Sequence, residues 1–143
     1  MPKKKTQRKA RVKKNYAGFW IRVGAHIVDG IIMYITGLLY GLIIGLSGIN
    51  SSILTIGGAI AISWLYYAGL ESSEKQATFG KQLFGLKVVN EKYKRISFGQ
   101  ATMRIIGKFF SGVILGIGYI MIAFSEKKQG LHDLIAQTYV LKC

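Results

Sequence analysis

Three side chains able to hold protons or ions stand at helical spacing in an otherwise apolar stretch: Arg22, His26 and Asp29. Steps of four and three residues put all three on one helix face. At 1.5 Å of rise per residue, Asp29 lies about 10 Å further along the axis than Arg22. In a helix that crosses a bilayer, Arg22 can reach back to the headgroups, whereas Asp29 cannot. An aspartate at that depth costs about 2.5–3.5 kcal/mol on insertion scales unless a partner or water receives it. Two readings follow. In the functional one, Asp29 binds a cation or a proton in a wet cavity, with His26 and Arg22 tuning its charge. In the structural one, Asp29 pairs with a basic residue on another segment and locks the helix packing.

A second polar set lies near the end of the chain, where His132 and Asp133 follow Gly130 in a turn close to Lys127 and Lys128. Asp133 reads either as a site residue or as a helix cap or a salt bridge to a loop lysine. Lys81 belongs to Thr78-Phe79-Gly80-Lys81-Gln82, which resembles the end of a phosphate loop. No glycine stands five residues before Gly80, however, and no Ser or Thr follows Lys81. The histidines and the single cysteine are too far apart to form a metal set, and no nucleophile elbow occurs. The sequence therefore predicts no enzyme, no cofactor and no metal site. Lys81 and His132 stay as secondary candidates.

The elements that must position these residues follow from the hydropathy layout. Half of the 143 residues are apolar, and they lie in long blocks instead of amphipathic repeats. From Phe19 to Leu46 only Arg22 and Asp29 are charged, and the twenty residues from Ile27 reach about 30 Å as a helix, enough to cross the hydrocarbon core. A polar turn at 47–52 precedes a second block, Ile53 to Leu70, which ends with Trp64, Tyr66 and Tyr67 as rings suited to an interface. Gly37, Gly41 and Gly45 recur every four residues, a pattern that permits close helix contact with the second helix or with another copy. The third block, Ile105 to Phe124, is long enough to span once, but it is interrupted by Gly112, Gly116 and Gly118 and reads preferentially as a broken or re-entrant segment.

Between the second and third blocks, residues 71–104 hold seven Lys or Arg and three Glu, read as a cytoplasmic stretch. There, Leu86–Val89 and Arg95–Phe98 flank a polar turn and predict a β-hairpin, to which the run Thr138–Leu141 adds a strand. Ser97 is placed to cap a helix starting at Phe98. The predicted fold is an all-α membrane protein: a helical hairpin over about 21–46 and 53–70, a third segment at 105–124, and a small cytoplasmic β-hairpin joined by the C-terminal strand. Residues 16–143 make one membrane domain and residues 1–15 a basic disordered cytoplasmic tail.

The net charge of +14 is concentrated in that tail, where eight of the 20 Lys and Arg fall between Lys3 and Lys14. The tail abuts an apolar helix and has no aromatic before Tyr16. That favours anionic lipid headgroups and an N-terminus on the cytoplasmic side over nucleic acid, which calls for stacking rings as well as charge. The expected location is the plasma (inner) membrane, with several spans.

Three segments resemble the RDD family of small membrane proteins, named for one arginine and two aspartates. Ala17-Gly18-Phe19-Trp20-Ile21-Arg22 with Asp29 is similar to the family's opening helix. Residues 77–89, ATFGKQLFGLKVV, resemble its cytoplasmic turn, with Phe79 where the family often has proline. Gln129-Gly130-Leu131-His132-Asp133-Leu134-Ile135-Ala136 resembles its closing motif. The resemblance runs from about residue 16 to 141 and places the signature on Arg22, Asp29 and Asp133. It implies transport of an unidentified ligand, with cation–proton exchange among the proposals. The expectation is thus a transporter or transport component, completed by a homo-oligomer or a membrane partner subunit. The alternative is a non-transporting accessory or scaffold protein that docks a partner through its cytoplasmic β-hairpin.

Overall fold

The structure, a computed structural model, describes residues 15–114 and 116–143. All of the expected basic tail except Asn15 lies outside the described residues. Helix α1 (Phe19–Ser47) spans 29 residues and stops at Gly48, whose left-handed φ of 70° is open to a residue without a Cβ. After a short turn, Ser51 caps α2 (Ser52–Trp64) by accepting from the Leu54 amide. A π-helical turn (Leu65–Gly69) continues α2 into α3 (Leu70–Ser72). Both α1 and the run from Ser52 to Ser72 are long and apolar enough to cross a membrane. Tyr40 donates to the Leu54 carbonyl and Tyr66 to Asp29, so the two helices pass in opposite directions.

Most large apolar side chains of these helices face outward, among them Leu38, Leu42, Leu46, Ile53 and Ile60. In water such a surface would aggregate; against lipid tails it is the expected face. A Cβ built at Gly37, Gly41 or Gly45 meets nothing within 4 Å, so these glycines make no close contact with α2.

Thr78 caps α4 (Phe79–Leu83), and β1 (Leu86–Asn90) follows. The third apolar block forms α5 (Phe98–Val113) and α6 (Ile117–Phe124), bent by 104° with Gly116 at φ 76° before α6. Ser97 and Gln100 make a reciprocal capping box at the start of α5, as the sequence predicts for Ser97. Helix α7 (Leu131–Ile135) and β2 (Thr138–Lys142) close the chain.

The expected β-hairpin is corrected. Strand β1 pairs antiparallel with β2, from Leu86 opposite Lys142 to Asn90 opposite Thr138, while residues 95–98 form no strand. Asn90 takes a tight turn instead, its amide bonded to the Lys94 carbonyl and its side chain accepting from the amides of Lys92 and Lys94. That turn and the cap at Ser97 use up the local backbone groups, which leaves β1 to the distant strand. The core packs where the sheet meets the first turns of α1: Ala17, Ala25, Ala68, Leu86, Val88, Ile96, Ala101 and Val140.

Candidate functional site

Asp29 is wholly buried beside the start of α4. Its Oδ1 accepts from the Tyr66 hydroxyl and the Gly80 amide, each at 2.8 Å, and its Oδ2 accepts from the Thr78 hydroxyl at 2.6 Å. Each donor has a local cause. The π-helical turn adds a residue to its loop and resets the side-chain register, presenting Tyr66 to α1. Thr78 sits at the helix cap, where its oxygen also accepts from the Lys81 amide. At Gly80 a Cβ would overlap the Ala25 carbonyl and lie 2.9 Å from the Asp29 carboxyl, so only glycine lets α4 approach α1.

The remaining buried charges form one connected network. The Asp133 carboxylate accepts from Arg22 at 2.5 Å, from Arg104, and from the Gly130 amide at 3.2 Å. Arg22 is 4% exposed and also donates to the carbonyls of Ala17 and Lys128. Arg104 continues to Thr138 and, at 2.8 Å, to Glu71, which pairs with Lys81 and stands 3.6 Å from Lys108. Four bases thus surround two acids.

Burial alone would raise the Asp133 pKa, but the guanidiniums of Arg104 and Arg22 hold it well below the usual carboxylate range. Burial pulls the Lys81 ammonium down to about 7 despite the Glu71 carboxylate, helped by the positive charge of Lys108 and Arg104. His132 is pulled down to about 3, again mainly by burial, and so is neutral at ordinary pH. Its Nδ1 is buried without a hydrogen-bond partner among the described residues, and its ring lies 5.2 Å from that of Tyr119.

The model of the RDD family matches residues 16–137. The chain belongs to the RDD family. It is similar to the "uncharacterized protein YxaI" of Bacillus subtilis (strain 168), 40% identical over 87% of this chain and 96% of that protein. The "uncharacterized membrane protein YteJ" of the same organism is 33% identical, over 88% of this chain and 80% of its own length. The corresponding values for the "uncharacterized protein YckC" are 34%, 87% and 83%. No solved structure matches the chain.

In this RDD protein the signature residues divide into two sites. Arg22 and Asp133 bond directly, whereas Asp29 shares no hydrogen bond or ion pair with either. The expectation that Arg22 snorkels is corrected: Asp133 and two carbonyls hold it inside the protein. The structural expectation of a basic partner for Asp29 is corrected too, since all three of its donors are neutral. His26 faces a cleft shared with Lys108 and Tyr67, and Lys81 belongs to the network.

Sequence reasoning missed Glu71, Arg104 and Lys108, counting the first two only among the charges of a cytoplasmic stretch. Glu71 and Arg104 are among the most buried side chains. Arg104 and Lys108 stand one helical turn apart beside an apolar block, and that spacing was the available signal. Trp64 and Tyr66, expected as interface rings, donate to Thr102 and Asp29.

Proposed function

We propose that this RDD protein is a membrane transport component in which Asp29 exchanges a monovalent cation for a proton. The observation that carries this reading is the company Asp29 keeps. Glu71 and Asp133, the other buried acids among the described residues, lie amid guanidinium and ammonium groups, while Asp29 meets only neutral donors. A buried carboxylate without a cation favours any positive partner that can reach it. Three donors also leave about one of the four lone-pair positions of the carboxylate open to such a partner.

In this reading α1 and the run from Ser52 to Ser72 cross the plasma membrane as a helical hairpin, with the N-terminus and the sheet in the cytoplasm. The α5–α6 pair re-enters without crossing. Two spans enclose little of a pathway, so a second copy or a membrane partner subunit completes it, and the basic tail rests on anionic headgroups. The chemistry is binding and release; no catalytic step is involved.

The test is an Asp29→Asn variant in vesicles under an imposed cation gradient, with an internal pH dye as the readout. Loss of cation-driven proton flux in a protein that still inserts and resists heat like the parent is the expected result. Equal flux in parent and variant would overturn the reading. The accessory-protein reading ranks second because the strand edges are already bonded. Gln76 accepts from Val88 on one side, while Val140 and Asn15 accept from Ala17 and Lys142 on the other. Few backbone groups remain for an added partner strand.

A further inference from the structure

A cleft of about 960 Å³ opens beside α2 at the level of the apolar blocks. Its wall is a strip of α2 and the π-helical turn after it, from Thr55 to Tyr67, carrying Ile56, Ala59 and Ile60 and about 18 Å long at 1.5 Å per residue. Its polar end is formed by His26, Tyr67, Lys108 and Tyr119. An apolar groove ending in a few convergent polar groups is the usual design of an amphiphile site.

The polar end is unsaturated. The Lys108 ammonium makes no hydrogen bond among the described residues; it stands 3.6 Å from Glu71 and 4.9 Å from the centre of the Tyr67 ring. Glu71 is already engaged by Lys81 and Arg104, so it offers Lys108 little of its charge. The network holds four bases to two acids, and Lys108 is the base that faces the cavity. The network is therefore two negative charges short of neutral; an anion in the cavity would supply one of them at Lys108, and the neighbouring hydroxyls and imidazole can hydrogen-bond to it.

We propose that this cleft binds a long-chain carboxylate, with the head group on Lys108 and the acyl chain along the Ile56–Ile60 face of α2. Lys108 lies ten residues inside α5, counted from Phe98, and so well along the helix from its capped end. A small, singly charged head on one chain can reach there. A two-chain phospholipid would have to bring its glycerol backbone with it. The flank of the cleft gives access: Ile56 and Ile60 are both exposed.

Trp64 lines the same cleft and makes a local reporter. The experiment uses the full chain in phosphatidylcholine nanodiscs, with Trp20→Phe to remove the other tryptophan, and dibromostearate as a quencher. Saturable quenching of Trp64 is expected, weakened about tenfold or more by Lys108→Gln and retained by Lys108→Arg. If Lys108→Gln does not fold, Ala59→Phe decides, because Ala59 is an exposed lining residue whose enlargement fills the groove without touching the charge. That variant should abolish the saturable phase. Equal quenching by the dibromostearate methyl ester, no change in either variant, or stronger competition by phosphatidic acid than by stearate would overturn the proposal. The assay needs no ion gradient, so its outcome is independent of flux through Asp29.

Discussion

At the scale of the residue, three neutral donors hold the Asp29 carboxylate. The acid itself, alone in an apolar block and at helical spacing from Arg22, could be read from the sequence; its donors could not. Tyr66, Thr78 and Gly80 lie 37, 49 and 51 residues away, and nothing local marks them as partners. Gly80 offers the sharpest test of this geometry. Gly80→Ala should destabilise the protein by about 1–3 kcal/mol, because the added methyl meets the backbone carbonyl of Ala25, which cannot swing aside. Gly37→Ala, placed in open space on α1, should be neutral or slightly stabilising through helix propensity. Heat unfolding of both variants in one detergent measures the difference. Similar behaviour of the two would count against the close approach of α4 to α1.

At the scale of the element, the helices were readable from hydropathy and the sheet only in part. Leu86–Val89 and Thr138–Leu141 were recognised as strands of one sheet, but Arg95–Phe98 was added to it as the local partner of Leu86–Val89. Sequence proximity favours a local hairpin, whereas the cap at Ser97 commits residues 95–98 to the entry of α5 and leaves β2 as partner. The same distance effect hid Arg104, whose carboxylate partners lie on α3 and α7. Arg104→Met should therefore cost about 3–5 kcal/mol by stranding Glu71 and Asp133. Denaturant unfolding of the variant in detergent checks it, and a loss under 1 kcal/mol, about the value of a surface pair, would mean the network is not the clamp described.

Helix α7 adds a pH dependence with a definite sign. His132 has an ordinary value of 6.5 and is pulled down to about 3 in the folded chain, mainly by burial. Between those values the unfolded chain takes up a proton and the native one does not. Stability is thus full above about 6.5 and falls as pH drops toward 3. Asp133 shifts the same way but acts only below its ordinary 3.8, because its folded value is lower still. A melting temperature that declines from about pH 6.5 downward, with a shallower slope in His132→Asn, is the expected record. A flat profile down to the carboxylate range would show that His132 takes up its proton in the folded state.

At the scale of the whole molecule, the contacts constrain how the chain meets a bilayer. The sheet gathers residues 15–17, 86–90 and 138–142 into one layer. The start of α5 lies beside that layer, where Gln100 donates to the Ala136 carbonyl just before β2. The chain beyond α6 returns to it as well, since the Lys128 carbonyl accepts from Arg22 in the first turn of α1. Both ends of the α5–α6 pair therefore meet the same side of the helical bundle, while the turn at Gly48 closes the far end of α1. The apolar block at 105–124 could not disclose this by itself, because twenty apolar residues are long enough to cross once. Single cysteines placed at Ser125, Lys142 and Asn50 in a Cys143→Ser background give the test. An impermeant thiol reagent applied to sealed vesicles of known orientation should label the first two from one side and Asn50→Cys from the other. Labelling of Ser125→Cys and Lys142→Cys from opposite sides would stretch residues 125–142 across a bilayer, which the bond from Arg22 to the Lys128 carbonyl and the ladder from Leu86 to Asn90 do not permit together.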